Sequence, residues 1–176
     1  MGGEPIRLRG STSVRDVQLF PFDDESLGFG LFTQVTVALK RGMPAPSTFV
    51  FFSDRVDRFS LGALRGMTVR SRQRLISSMA GQDGVECVAL LGAFRFRGRG
   101  PLNGQWVANA FVEWPDNRWW TAWQPIGPTR ELVGLEPQVR TATDGSPRPS
   151  GVGGWFAWAR RDGLKLRVQR EHPPVH

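Results

Sequence analysis

Turn-forming residues divide this chain into short segments. Twenty-one glycines and thirteen prolines are spread along its 176 residues, which favours many short elements over long helices. Between them the dominant hydrophobic period is two, which is typical of a half-buried β-strand. Residues 31–39 show this period, with Leu31, Val35 and Val37 on one face and Thr36 on the other. The sequence therefore predicts a strand over residues 31–39.

Two further segments are predicted as strands. Residues 48–52 form a short continuous apolar run, which is typical of a strand buried on both faces. Residues 85–97 form a longer strand, with Val88 and Phe94 on one face and Arg95 on the other. The run Gly98-Arg99-Gly100-Pro101 that follows is expected to end it.

Residues 105–124 are predicted to form a hairpin, because Trp114-Pro115-Asp116-Asn117 is a strong turn signal. A four-residue loop would pair Glu113 with Arg118, whose opposite charges attract across strands. A three-residue loop would move every partner by one position. The sequence leaves both registers open.

A second hairpin is predicted over residues 154–170. Asp162-Gly163 is a preferred dipeptide of the two-residue type I′ turn. In that register Trp158 lies directly across from Arg167, on a face that also carries Phe156 and Arg160.

One segment follows helical spacing instead. Val69, Leu75, Ile76 and Met79 predict a short helix between Val69 and Ala80, ended by Gly81. Because strands otherwise prevail, we expect an all-β fold with one short helix: an antiparallel sandwich, a jelly roll or a small closed barrel. We expect an N-terminal arm over residues 1–13, a single β domain over 14–170 and a C-terminal tail over 171–176. Within the β domain, residues 137–153 are expected to form a long polar loop.

The net charge of +7 comes almost entirely from arginine, since lysine occurs only at Lys40 and Lys165. A guanidinium stacks on aromatic rings and grips phosphate or carboxylate in a fork, so a polyanionic partner fits this composition. Arginine bias also arises simply from a GC-rich genome.

Cysteine and hydropathy patterns limit the class of protein further. The single cysteine, Cys87, cannot form an internal disulfide and is expected to be a small core residue. The N-terminus has no apolar stretch typical of a secretory signal, and the longest apolar run, 87–94, is too short to span a bilayer. We expect a soluble protein made in the cytoplasm.

Groups that commonly carry catalysis are scarce. Both histidines, His172 and His176, lie in the proline-containing tail, and no phosphate-binding, dinucleotide-binding or nucleophile-elbow motif occurs. Asp23, Asp24 and Glu25 are consecutive, so their side chains diverge, and a solvated acidic loop is the better interpretation. The sequence therefore predicts a non-enzymatic protein without a cofactor or metal site.

Aromatic side chains next to arginines suit a nucleic-acid-binding surface, because bases stack on rings while cations hold phosphates. Three places have this pattern: the segment 94–99, the run Arg118-Trp119-Trp120, and the predicted Trp158/Arg167 face. Aromatic residues on strands are also common core residues, so the pattern alone does not decide the function.

Assembly is the first functional expectation. Aromatic residues on both faces of strands leave apolar area for contact with neighbours, and polar arms can order on that contact. We expect a structural subunit that associates with itself or with a sister structural protein, a viral or phage coat protein (located in the virion) being one example. The alternative is a single-stranded nucleic-acid-binding domain. The predicted contact residues are Phe156, Trp158, Trp119, Trp120, Arg95, Arg97, Arg99, Arg160 and Arg167.

Overall fold

A computed structural model of the chain describes residues 23–60, 66–149 and 151–165. In chain order its elements are α1 Asp24–Leu39, β1 Ser47–Phe52, β2 Val56–Ser60, α2 Val69–Ala80, β3 Val85–Arg95, β4 Trp106–Glu113, β5 Trp119–Pro125, β6 Gln138–Thr141 and α3 Trp155–Asp162. A short 3₁₀ helix, Ala142–Asp144, follows β6. Within these ranges, none of the helices combines the length and the apolar character that crossing a membrane requires.

The six strands form one open antiparallel sheet in the order β2-β1-β3-β4-β5-β6. The antiparallel pairing agrees with the sequence, whereas a sandwich, jelly roll or closed barrel is not confirmed. In the described part of the chain, α1 covers one face of the sheet, and α2 and α3 cover the other. β1 lies between β2 and β3 and is buried along most of its length, which confirms the strand predicted at residues 48–52.

Successive side chains along the strands point to opposite faces of the sheet, and each face carries its own hydrophobic cluster. α1 packs on β3, β4 and β5, where Ala89, Leu91, Ala110 and Val112 lie below it. α2 and α3 pack together on the opposite face, above Val88, Leu90 and Phe111 among others. Because β3 and β4 contribute to both clusters, the centre of the sheet is buried on both sides.

The strand predicted at residues 31–39 is wrong, because this segment is the second half of α1. Leu31, Val35 and Leu39 are spaced by four, so a helix places them on one face as readily as a strand does. The two conformations differ at Val37, which a strand would bury and which is 49% exposed in α1. The acidic residues predicted as a loop begin this helix: Asp23 caps it by accepting the Ser26 N–H at 2.8 Å.

The hairpin predicted over residues 154–170 is also wrong, because Trp155–Asp162 form α3. Gly163 has a φ of 61° and ends the helix, with the Leu164 N–H donating to the Ala159 carbonyl at 3.0 Å. A left-handed glycine serves both a type I′ turn and a helix C-terminus, so Asp162-Gly163 fits either structure. Residues 166–170 lie outside the described residues.

The other predicted segments have mixed outcomes. The predicted helix is confirmed as α2, and the long strand is confirmed but ends at Arg95. In the β4–β5 hairpin the Trp114 N–H donates to the Arg118 carbonyl at 3.0 Å, and Glu113 pairs with Trp119. This is the three-residue loop. The segment 137–153, predicted as a polar loop, contains the edge strand β6.

Candidate interaction surfaces

Three aromatic residues predicted to contact a partner lie in the core instead. Trp119, Trp120 and Phe156 are 7%, 1% and 5% exposed. Trp119 and Trp120 are consecutive on β5, so they point to opposite faces of the sheet and each fills one cluster. They are buried because helices cover both faces of the sheet, whereas the sequence predicted a single helix. These positions give no support to the predicted contacts.

The remaining α3 residues of the predicted surface serve local contacts. The half-buried Trp158 donates from Nε1 to Asp162 Oδ2 at 2.6 Å, one helical turn further along. Arg160 is exposed, and its Nη1 donates to the Pro115 carbonyl at 2.8 Å, which joins α3 to the β4–β5 loop. Arg167, and with it the predicted Trp158/Arg167 pair, lies outside the described residues.

Arg95, Arg97 and Arg99 are exposed, as a contact role requires. They lie at the end of β3 and in the loop that leads to β4. Arg95 pairs across the strands with Trp106, and its guanidinium lies 5.8 Å from the centre of that indole ring. Trp106 is 39% exposed, so the ring and the cation form a joint surface.

Basic side chains gather at this end of the sheet. We call it the basic end: the edge where β3 and β5 finish and β4 begins, together with the C-terminus of α1 and the loop after β5. It carries six basic residues, Lys40, Arg41, Arg95, Arg97, Arg99 and Arg130, against two acidic residues, Glu131 and Glu136, in the loop after β5. None of these six forms an ion pair with another described residue.

Exposed apolar side chains are concentrated at the basic end as well. Of the eight large apolar residues that are exposed in the described ranges, five lie in its loops or at its strand ends: Met43, Phe96, Trp106, Val133 and Leu135. Leu135 is fully exposed. Exposed apolar residues therefore occur at the same end of the sheet as the six basic residues that pair with no described acidic residue.

The opposite end of the sheet carries mainly acidic side chains. We call it the acidic end: the edge where β1 and β4 finish and β3 and β5 begin, together with the N-terminus of α1. Its acidic residues are Asp23, Asp24, Glu25, Asp54, Asp83, Glu86 and Asp116. Fewer basic residues reach this end: Arg55, Arg118, Arg160 and Lys165. The molecule is therefore charged oppositely at its two ends.

Glu113, at the end of β4, is a buried carboxylate, whereas the sequence analysis considered it only as a possible cross-strand partner of Arg118. It is 1% exposed and receives the backbone N–H groups of Gly154, through Oε2, and of Phe156, through Oε1 at 3.2 Å. It thus caps α3, whose own N-cap residue is a glycine. Burial raises the pKa of Glu113, although these N–H groups and Arg148 oppose the shift. Its place in the alternation after Phe111, on an apolar face, was the available signal.

No other cluster in the described residues suggests chemistry. Those ranges contain no group of three or more histidine, cysteine, aspartate or glutamate side chains placed to hold a metal ion. Cys87 is buried in the cluster below α1, as predicted, and burial raises the pKa of its thiol to about 12. No protein-family model, curated protein or solved structure matches the chain.

Proposed function

We propose that the protein is a non-enzymatic structural subunit that associates with copies of itself, the basic end of one copy contacting the acidic end of the next. The observation that carries this proposal is the separation of charge between the two ends of the sheet. The exposed cations of the basic end, which pair with none of the described acidic residues, can pair with anions, and the acidic end of a second copy supplies them.

The chemistry of the basic end fits a reversible contact. Exposed ion pairs contribute only about 0–1 kcal/mol each, so the charges set the orientation more than the affinity. The exposed apolar residues, Trp106 and Leu135 among them, supply area that contact removes from water. A contact between unlike surfaces is not closed by a twofold axis, so repetition gives a ring or a filament. A viral or phage coat protein is one kind of subunit with these properties.

The test is the mass of the particle in solution. Size-exclusion chromatography with light scattering should give a mass above the 19.6 kDa of one chain at about 0.05 M salt. The mass should fall at about 0.5 M salt, because salt screens charges on exposed surfaces. Two double variants separate the ends: Arg97→Glu with Arg99→Glu, and Asp83→Lys with Glu86→Lys. Each should be monomeric alone, and mixing the two should restore association.

A matched control keeps the number and type of charge changes but places them elsewhere. Arg74→Glu with Arg140→Glu alters exposed arginines on α2 and β6 and should associate as the unchanged protein does. The proposal is wrong if the unchanged protein is monomeric at low salt, or if the mixed variants remain monomeric.

Single-stranded nucleic acid is a second candidate partner for the same end, favoured by the contact between Arg95 and the exposed Trp106 ring. Stacking of a base on an aromatic side chain contributes about 1–3 kcal/mol. Under this hypothesis a fluorescent oligothymidylate binds a monomer, and Trp106→Ala weakens binding by about 5-fold or more. Arg97→Glu with Arg99→Glu then reduces the dependence of affinity on salt while the mass stays at one chain.

A further inference from the structure

A cavity of about 310 Å³ lies between α2, α3 and the segment that connects β6 to α3. Gln73 of α2 and Trp158 of α3 form two of its walls, and the connecting segment supplies Arg148, Pro149 and Val152. None of the described residues that line it is acidic. The volume is at the lower end of the range for small-molecule sites.

Hydrogen bonds fix the walls of this cavity. Gln73 receives the Trp155 Nε1–H at its Oε1 atom and donates from Nε2 to the Gly151 carbonyl, which links α2 to the connecting segment. Trp158 is held by its bond to Asp162 Oδ2, so its indole ring has a defined orientation. These contacts hold the Gln73 and Trp158 side chains in place, which lowers the entropy cost of ordering them when a ligand binds.

Arg148 is the one cation among the described residues that line the cavity, and its donors are in excess. Its Nη1 forms a long ion pair with the buried Glu113, 4.0 Å from Oε2, which is beyond hydrogen-bond distance and leaves the N–H donors of Arg148 without that acceptor. Glu113 accepts instead from the backbone of Gly154 and Phe156. A guanidinium has five N–H donors, yet Arg148 makes no hydrogen bond to another described residue and its side chain is 42% exposed.

We propose that this cavity binds a small organic anion, whose carboxylate or phosphate pairs with Arg148 while its flat apolar part lies against Trp158. Arginine pairs with both anionic groups through two parallel hydrogen bonds. Pro149 and Val152 also line the cavity and add apolar surface to that of the indole ring. This site is separate from the basic and acidic ends, so it does not depend on the proposed self-association.

The first test compares probes of the same shape on the unchanged protein by isothermal titration calorimetry. Benzoate should bind about tenfold or more tightly than benzamide, which has the same ring without the charge. Phenyl phosphate is then compared with benzoate. The anion that binds more tightly shows whether the site prefers a phosphate or a carboxylate. Equal binding of benzoate and benzamide, or no binding of either anion, overturns the proposal.

Variants then assign the binding to this cavity. Arg148→Gln should weaken benzoate binding about tenfold or more and leave benzamide unchanged, whereas Arg140→Gln, an exposed arginine on β6, should leave both unchanged. Trp158→Ala should weaken both probes, because the ring contacts their shared part. If Arg148→Gln binds benzoate as the unchanged protein does, the proposed site is wrong. Circular dichroism identifies a variant that has not folded, and in that case the probe comparison on the unchanged protein decides.

Discussion

Cys87 and Glu113 are ionisable side chains buried on opposite faces of the same sheet, and their surroundings give them different roles. Cys87 lies among apolar side chains, and a thiol with a pKa of about 12 stays protonated and unreactive at neutral pH. Glu113 lies where the backbone N–H groups at the start of α3 need an acceptor. At this scale the sequence predicted Cys87 from its apolar neighbours. For Glu113 the local signal was its place in the strand alternation after Phe111, but the backbone groups that it caps are about 40 residues away in the sequence.

The stability of the protein should depend on pH through Glu113. Burial raises its pKa in the folded chain above the unfolded value, so protonation favours the folded state. The stability that this shift contributes is fully present below the unfolded pKa and is lost as pH rises through the folded pKa. Urea unfolding of the unchanged protein and of Glu113→Gln, followed between about pH 4 and pH 7, should show the glutamine variant gaining relative stability as pH rises.

Glu113→Ala provides the comparison, because it removes the acceptor as well as the charge. It should lower the free energy of unfolding by about 1–3 kcal/mol at every pH, since the N–H groups of α3 lose their partner. A constant difference between the unchanged protein and Glu113→Gln across this pH range would contradict the assigned role of the Glu113 charge.

At the scale of elements, α1 depends on the close approach of its backbone to β5. Gly28 faces Trp120, and a Cβ added there would overlap the indole ring. Phe29 packs edge-on against the same ring, with 5.3 Å between the ring centres. Gly30, two residues further on, has no heavy atom within 4 Å of an added Cβ. Two glycines of one helix thus have different physical roles.

Alanine substitution should separate these roles. Gly28→Ala should lower the free energy of unfolding. Forcing a methyl group against the Trp120 ring costs about 1–3 kcal/mol, which outweighs the gain of about 1 kcal/mol in helix propensity. Gly30→Ala should stabilise it by about 0.5–1 kcal/mol, since only the propensity changes. Urea unfolding of both variants measures the difference. Equal effects at the two positions would contradict the packing of α1 on Trp120.

The predicted elements that failed share one cause. Residues 31–39 and the Asp162-Gly163 turn both carry local signals that fit two structures, and tertiary contacts select one of them. Apolar residues spaced by four fit a strand or a helix, and a glycine with positive φ fits a hairpin or a helix end. The β4–β5 hairpin and α2 were predictable because their turn and cap signals agree with their hydrophobic period. The exposure of Arg95, Arg97 and Arg99 follows from the same local signals, whereas the burial of Trp119 and Trp120 depends on both helical layers.

At the scale of the whole molecule, one sheet joins the two hydrophobic clusters. Residues of β3 alternate between them: Cys87 and Ala89 face α1, while Val88 and Leu90 face α2 and α3. Loss of either helical layer would expose the centre of the sheet to water. The described residues should therefore unfold as one cooperative unit, with no stable state in which only one face is covered.

Core substitutions on the two faces test this cooperativity. Leu31 in α1 and Ile76 in α2 are 4% and 2% exposed, and Leu31→Ala or Ile76→Ala should each lower the free energy of unfolding by about 2–5 kcal/mol. In each variant, urea transitions followed by tryptophan fluorescence and by far-ultraviolet circular dichroism should coincide. Leu135→Ala, at a fully exposed position, should change the stability by less than about 0.5 kcal/mol. If the fluorescence and circular dichroism transitions separate in the Ile76→Ala variant alone, α2 and α3 unfold independently of α1. The sheet would then keep its structure with one helical layer removed, which contradicts the prediction.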